Sequence, residues 1–138
     1  ATSNEATLTV VTPTPVIFTG ENTDVAIALD SVFMIRDPFL FTNPWNFSAD
    51  NRTRLSLFVE NLELAPGEDA SAVTVRAEDA QMNVFPMAVE HLSKTTVMGD
   101  EFFMLVVRLP DNLPTGQSLL VSVTLRGQTS NKAGIRIR

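Results

Sequence analysis

The sequence predicts an all-β domain, an antiparallel β-sandwich of about eight or nine strands. Short segments in which apolar and polar residues alternate recur along the chain, a period typical of strands with one buried face. Turn signals rich in Gly, Pro, Asn and Asp separate these segments at regular intervals, as they do in sandwiches. No long segment has the 3.6-residue period of an amphipathic helix. The 138 residues suffice for one core.

The predicted strands follow one another from the N-terminus. The first is ATLTVV, residues 6–11, in which apolar side chains alternate with threonine until Pro13 and Pro15 end the pattern. Five later strands also show alternation, so that every second residue shares a face. The residues predicted to share a face are Val25, Ile27 and Leu29; Leu55, Leu57 and Val59; Val73, Val75 and Ala77; Leu119, Val121, Val123 and Leu125; and Ile135 and Ile137.

Three segments depart from simple alternation. FFMLVVRL, residues 102–109, is apolar on both faces, which predicts a central strand covered on both sides. VFPMAVE contains Pro86, and because proline has no N–H to donate, we expect a sheet edge or a bulge there. The least regular segment is 36–52, which holds the single tryptophan, three Phe and two Pro.

Composition excludes several classes of function. The net charge is −6, whereas nucleic-acid binding needs clustered positive charge, so we expect no nucleic-acid partner. No apolar run approaches the ~20 residues that span a bilayer, so we expect no membrane insertion. The chain has no Cys, which removes disulfides, thiolate metal sites and cysteine nucleophiles.

No catalytic motif is recognisable. His91 is the single histidine, and no nucleophile-elbow glycines flank a serine, so a serine-histidine triad is disfavoured. A zinc site lacks its usual ligands. Calcium is the better metal alternative, although solvated loop carboxylates are the favoured interpretation. We therefore expect no enzymatic activity, no cofactor and no metal. The acidic candidates are Asp37, Asp50, Glu68, Asp69, Glu78 and Asp79.

The C-terminal stretch resembles the end of bacterial Ig-like domains of the TIG (IPT) type. In that family a Pro-x-Gly turn precedes an alternating strand, a hairpin turn with Gly and Ser-Asn, and a final strand. The matching residues are Pro114-Thr115-Gly116, Gly127 and Ser130-Asn131. The resemblance covers about 30 residues and implies an Ig-like, non-enzymatic module of a secreted or cell-surface protein.

Aromatic side chains cluster in the irregular segment. They either form an exposed platform for a glycan or protein partner, or plug one end of the sandwich. Two N-glycosylation patterns, Asn46-Phe-Ser48 and Asn51-Arg-Thr53, predict that this loop is on the surface. The aromatic residues are Phe39, Phe41, Trp45 and Phe47.

The opening strand is the best lead to function. We divide the chain into an N-terminal strand with a proline hinge, residues 1–15, and a sandwich, residues 16–138. The strand either completes its own sheet or is donated to a neighbour's sheet, in which case a head-to-tail contact grows a filament. The hypothesis is therefore an extracellular or cell-surface homopolymer, and the alternative is a glycan- or protein-binding adhesion module of a larger protein. The residues assigned to polymerisation are Ala6, Leu8, Val10 and Val11.

Overall fold

The computed structural model describes residues 13–138, so the predicted strand at 6–11, with Ala6, Leu8, Val10 and Val11, lies outside the described residues. These residues form nine strands and one short 3₁₀-helix, and every strand pairing is antiparallel, which confirms the all-β prediction. The strands are β1 Val16–Ile17, β2 Ala28–Asp30, β3 Arg54–Glu60, β4 Val73–Glu78, β5 Val84–Val97, β6 Asp100–Arg108, β7 Gln117–Leu125, β8 Gln128–Thr129 and β9 Ala133–Ile137; the helix is Ala70–Ala72.

The nine strands belong to one sheet that curls into a half-barrel. The strand order is β1-β3-β6-β5-β4-β7-β8, with β2 also paired to β3 and β9 to β7. The long strand β5 makes the curl possible, because its first part pairs with β4 and its later part, from Ala88 to Val97, pairs with β6. A register shift between Val89 and His91 follows closely after the change of partner at Ala88.

Pro86 lies in the first part of β5, opposite Arg76 of β4. On their other side, residues 84–87 pair with no strand in the part of the chain that the structure describes. The missing N–H of proline is therefore tolerated at a one-sided stretch, next to the register shift. Both features expected from Pro86, a local edge and a neighbouring bulge, are present.

The core lies inside the curl and is built from alternating strand residues. The inward faces predicted for β3, β4, β7 and β9 are all buried, so alternation identified them correctly. Strand β6 lies between β3 and β5, which confirms its central position. Its second face is only partly covered by the described residues, however, since Phe102, Met104 and Val106 are half-buried.

The face assigned around β2 needs a correction. Val25 and Ile27 are exposed, whereas Ala26, Ala28 and Asp30 are buried. Alternation shows which residues share a face but not which face is inward, and both faces here carry apolar side chains. Small residues point inward because the chain approaches β9 closely: the Ala26 N–H donates to the Gly134 carbonyl at 2.8 Å.

The C-terminal motif residues form a tight hairpin turn and a pair of side-chain hydrogen bonds to β1. Leu125 pairs with Gln128 across Arg126 and Gly127, which both have positive φ, as a two-residue type I′ turn requires. After this turn, the Asn131 side chain accepts from the Ile17 N–H at 2.8 Å and donates to the Ile17 carbonyl at 3.2 Å. Asn131 thus holds the outer edge of β1 with a side chain in place of a strand.

Candidate functional site

The structure separates the four aromatic residues of segment 36–52 into two pairs. Phe39 is 1% exposed and belongs to the core. Phe41 packs against the core, with the Arg52 guanidinium carbon 4.3 Å from its ring centre. Trp45 is 69% exposed and Phe47 is 92% exposed. Of the four predicted binding residues, Trp45 and Phe47 are therefore the two that a partner could reach.

A buried amide fixes the loop that carries these two side chains. Asn46, between them, is 2% exposed. Its amide donates to the Arg52 carbonyl at 2.9 Å, and its oxygen accepts from the Ser48 N–H at 3.0 Å. The loop is closed further by the Asn43 N–H, which donates to the Asn51 carbonyl at 2.9 Å. The exposed aromatics thus stand on a loop with defined internal hydrogen bonds, which lowers the entropic cost of binding.

The two glycosylation patterns do not present free acceptors. The loop that carries these patterns exposes Trp45 and Phe47, as the patterns predict, but the Asn46 amide itself is buried and hydrogen-bonded. The Asn51 amide donates to the Asn46 carbonyl, and the buried Thr53 hydroxyl donates to the Leu40 carbonyl. Both side chains complete the loop's own hydrogen bonds, which the sequence pattern could not reveal.

An ion-pair network ties the loop to the sheet. Asp50 accepts from Arg54 of β3 and from Arg108 of β6, each at 2.7 Å. Arg54 also pairs with Glu90 of β5 at 2.9 Å. The hydrogen bond from Arg54, then those from the Arg52 backbone and Arg108, hold the pKa of Asp50 well below its usual range. Glu90 and Asp50 in turn raise the pKa of Arg54.

This network predicts an acid-sensitive contribution from Asp50. Because the folded-state pKa lies below the ordinary value of 3.8, the contribution is fully present above about pH 5. It is lost progressively as the pH falls below the ordinary value towards the folded pKa. We expect the thermal midpoint of the wild-type chain to exceed that of Asp50→Asn at pH 7, and the difference to shrink below about pH 4.

Thermal unfolding of both chains from pH 7 to pH 2 measures this difference. Other titrating carboxylates are common to both chains and cancel. Asp111→Asn is the control, because Asp111 pairs with Arg52 and Arg108 through a highly exposed carboxylate that solvent screens. A wild-type advantage over Asp50→Asn that persists unchanged to pH 2 would contradict the role of the Asp50 charge.

A second exposed apolar turn lies at the same end of β3. The Ser31 N–H donates to the Arg54 carbonyl at 2.8 Å, while the Arg54 guanidinium donates to the Ser48 hydroxyl at 3.0 Å. Arg54 therefore joins the turn after β2 to the aromatic loop. The Asp30 carboxylate caps that turn by accepting two backbone N–H groups. We call the exposed set the apolar tip: Val32, Phe33, Met34, Ile35, Trp45 and Phe47.

The described chain begins at the opposite end of β3. The Asn61 side chain, one residue beyond β3, donates to the Thr14 carbonyl at 3.0 Å, and Pro15 is buried. Nearby, the β5–β6 turn exposes 99% of Met98. A groove of about 560 Å³ lies here, with Phe18 and Phe102 in its wall at 5.6 Å between ring centres. We call this the hairpin end.

The unpaired edge of β5 is protected. From Ala88 to Val97, the side of β5 away from β6 pairs with no strand among residues 13–138. The exposed Lys94 lies over the Phe103 ring, at 6.0 Å, and pairs with Glu63 at 3.2 Å. The Glu63 hydrogen bond raises the pKa of Lys94, which keeps it charged. A lysine charge and a bulge both hinder the addition of a further strand.

The candidate calcium ligands do not converge. Asp37, Glu68 and Glu78 each pair with a different basic residue, namely Arg136, Arg126 and Lys132. Among residues 13–138, no group of three or more His or acidic residues could hold a metal ion. Asp69 and Asp79 accept hydrogen bonds within their own turns, mainly from Ser71 and from Asn83, which lower their pKa values. His91 is exposed in β5, opposite Val106.

Comparison of the chain with protein-family models, with curated proteins and with solved structures finds no match. In residues 13–138 there is no helix with the length and hydrophobicity needed to cross a membrane.

Proposed function

We propose that this protein is a non-enzymatic structural subunit that assembles with copies of itself into an extracellular or cell-surface filament. In this proposal the half-barrel is an Ig-like sandwich of the TIG type, and residues 6–11 are the strand donated to the next subunit. The supporting observation is that two different features lie at opposite ends of β3. The described chain begins at the hairpin end, whereas the apolar tip lies at the other end of β3.

Exposed apolar groups at one end favour association. Exposed apolar side chains that gather at one end of a monomeric protein often mark a binding surface. The apolar tip contains two of the chain's nine Phe and its single Trp, all of them exposed. Aromatic side chains of this type dominate the energy of protein interfaces.

A contact between the hairpin end of one subunit and the apolar tip of the next can repeat from subunit to subunit. A contact between two different surfaces is heterologous, and unless its rotation closes a ring it repeats without limit. The β3 strand of seven residues separates the two ends by about 20 Å. A subunit linked through its hairpin end to the tip of the next therefore adds length along the strand direction.

Fibre formation by the full-length chain tests this function. We expect electron microscopy and light scattering to show fibres that lengthen with protein concentration. The double variant Leu8→Asp/Val10→Asp should abolish them, because the apolar face of the donated strand must be buried and a carboxylate there loses its hydration. Circular dichroism and the thermal midpoint should match those of the wild-type chain.

The control is the double variant Thr7→Asp/Thr9→Asp, which places the same two charges on the alternate face of the strand. That face stays in water in a donated strand, so fibres should persist. A wild-type chain that remains monomeric at every concentration contradicts the proposal. Fibres that survive Leu8→Asp/Val10→Asp would contradict strand donation.

The alternative function is a binding module for a glycan or protein within a larger secreted protein. The observation that favours it is the preorganised display of Trp45 and Phe47. A binding module stays monomeric in the fibre experiment, and Trp45→Ala would lower its affinity for the glycan or protein partner. Because the donated strand is not involved, Leu8→Asp/Val10→Asp would leave that binding unchanged.

A further inference from the structure

We infer that the apolar tip is the receptor for residues 6–11 of a second copy of this chain. The inference rests on the proposed function and adds the receiving surface to it. Three observations carry it: the direction in which the chain leaves the fold, the length of residues 1–12, and the protection of the other available edge.

The direction of β1 sends the preceding residues away from the body. Val16 pairs with Glu60 and Ile17 with Val59, so the chain traced backwards from Ile17 moves towards the far end of β3. Thr14 continues past that end, where its carbonyl is held by Asn61. Proline at 13 and 15 favours an extended backbone through this exit. The described chain therefore enters the fold at the hairpin end.

The length of residues 6–12 distinguishes two possible receptors, the apolar tip of the same subunit and the apolar tip of a second subunit. Residues 6–12, fully extended, span about 23 Å. To reach the tip of its own subunit, the chain would have to reverse at the anchored exit and use all of that length to run back along β3. The tip of a second subunit placed beyond the hairpin end requires no reversal, so the intermolecular contact is the simpler one.

The chemistry of the two partners is complementary. Residues 6–11 offer an apolar face made of Ala6, Leu8 and Val10. Aliphatic side chains of this kind pack well against the flat rings of Trp45 and Phe47. Burying apolar surface stabilises such a contact by roughly 25 cal/mol per Å². Glu5 is the single charged side chain in residues 1–12, and the exposed Arg36 borders the tip.

The remaining long edge is a poor receptor. The free side of β5 carries the charged Lys94 and the register shift after Val89, which both oppose strand pairing. The free side of β9 is already occupied, because Gly134 and Arg136 bond to the segment that contains Asp24 and Phe39. Neither of these two edges therefore competes with the apolar tip as a receptor.

Trp45 makes the contact measurable, because it is the single tryptophan and the chain has no tyrosine. The acceptor is the full-length Leu8→Asp/Val10→Asp chain, titrated with a synthetic peptide of residues 1–12. We expect a saturable blue shift of the Trp45 emission as the peptide covers the ring. Adding Phe47→Ser to the acceptor should weaken peptide binding, measured by calorimetry, by about tenfold or more.

Two matched controls accompany the titration. Met98→Asn removes an apolar side chain of similar exposure at the hairpin end and should leave peptide binding unchanged. A peptide carrying the Leu8→Asp and Val10→Asp changes should not bind. Absence of binding, binding without a shift of Trp45, or equal weakening by Met98→Asn would each overturn the assignment of the tip as receptor.

The wild-type chain distinguishes this inference from the proposed function. If fibres are lost in Leu8→Asp/Val10→Asp but persist in Phe47→Ser, the filament proposal stands and the assignment of the apolar tip as receptor is overturned. If the peptide binds at Trp45 but the wild-type chain forms no fibres, the tip is a receptor and the filament proposal is overturned. A blue-shifted Trp45 emission that does not change on dilution would mean that the segment covers its own tip, which overturns the second-copy contact.

Discussion

Replacing Phe39 by alanine is expected to lower the free energy of unfolding by about 3–5 kcal/mol. Phe39 is among the largest fully buried side chains, and the ring would leave a cavity that the surrounding strands fill incompletely. Its backbone also closes the fold, since its N–H donates to the Arg136 carbonyl and its carbonyl accepts from the Arg138 N–H, both at 2.8 Å. Chemical denaturation followed by circular dichroism gives the change.

Phe47→Ala is the matched control for this prediction. The two residues belong to the same segment and lose the same atoms, but Phe47 is almost fully exposed. We expect its replacement to change the unfolding free energy by about 0.5 kcal/mol or less, as at other surface positions. Comparable losses for both variants would mean that Phe39 is not part of the core.

Asn46→Ala is expected to lower the unfolding free energy by about 1–3 kcal/mol, because the Arg52 carbonyl and the Ser48 N–H lose a buried partner. The effect should also be local. Trp45 stands beside Asn46, so loosening the loop should speed hydrogen exchange of the Trp45 and Ser48 amides before global unfolding. Denaturation curves and amide exchange by NMR together measure both effects.

Asn46→Asp refines the test. An ionised aspartate can still accept from the Ser48 N–H but cannot donate to the Arg52 carbonyl, so part of the stability should be lost. Asn112→Ala, at an exposed position, serves as the control and should be nearly neutral. If Asn46→Ala were as neutral as Asn112→Ala, the buried amide would not be what holds the aromatic loop in place.

The two loops of the apolar tip depend on one strand end. Arg54 links them, with its backbone carbonyl bound to the turn after β2 and its guanidinium bound to the aromatic loop. Since Asp50 and Glu90 both pair with this guanidinium, charges from the loop and from β5 converge on the first residue of β3. Preorganisation of this kind favours binding because less conformational entropy is lost on contact.

The glycine, serine and asparagine residues of the C-terminal turns have structural roles in this fold. Gly116 and Gly127 both adopt positive φ, which glycine reaches without strain. The Ser130 hydroxyl accepts from the Val123 N–H at 2.9 Å, and Asn131 clamps β1. The motif residues thus close hairpins and edges.

Alternation in the sequence determined the all-β class and the inward faces of β3, β4, β7 and β9, because one side chain in two must point to the core. The turn glycines Gly99 and Gly127, which both adopt positive φ, likewise follow from local chemistry, because glycine reaches this conformation without strain. These properties depend on residues that are neighbours in the chain, and a single sequence contains that information.

Only the tertiary structure decided which face of the segment around β2 is inward, which aromatics are exposed, and that Asn46 is buried. The inward face and the placement of the aromatic side chains depend on partners distant in the chain: Ala26 bonds to Gly134, Phe39 bonds to Arg136, and Arg54 bonds to Ser31. The burial of Asn46 depends on how its loop closes on Arg52 and Ser48. Because alternation and motif patterns contain no information on such distant partners, the aromatic segment read as one cluster. The fold divides it into a core half and an exposed half.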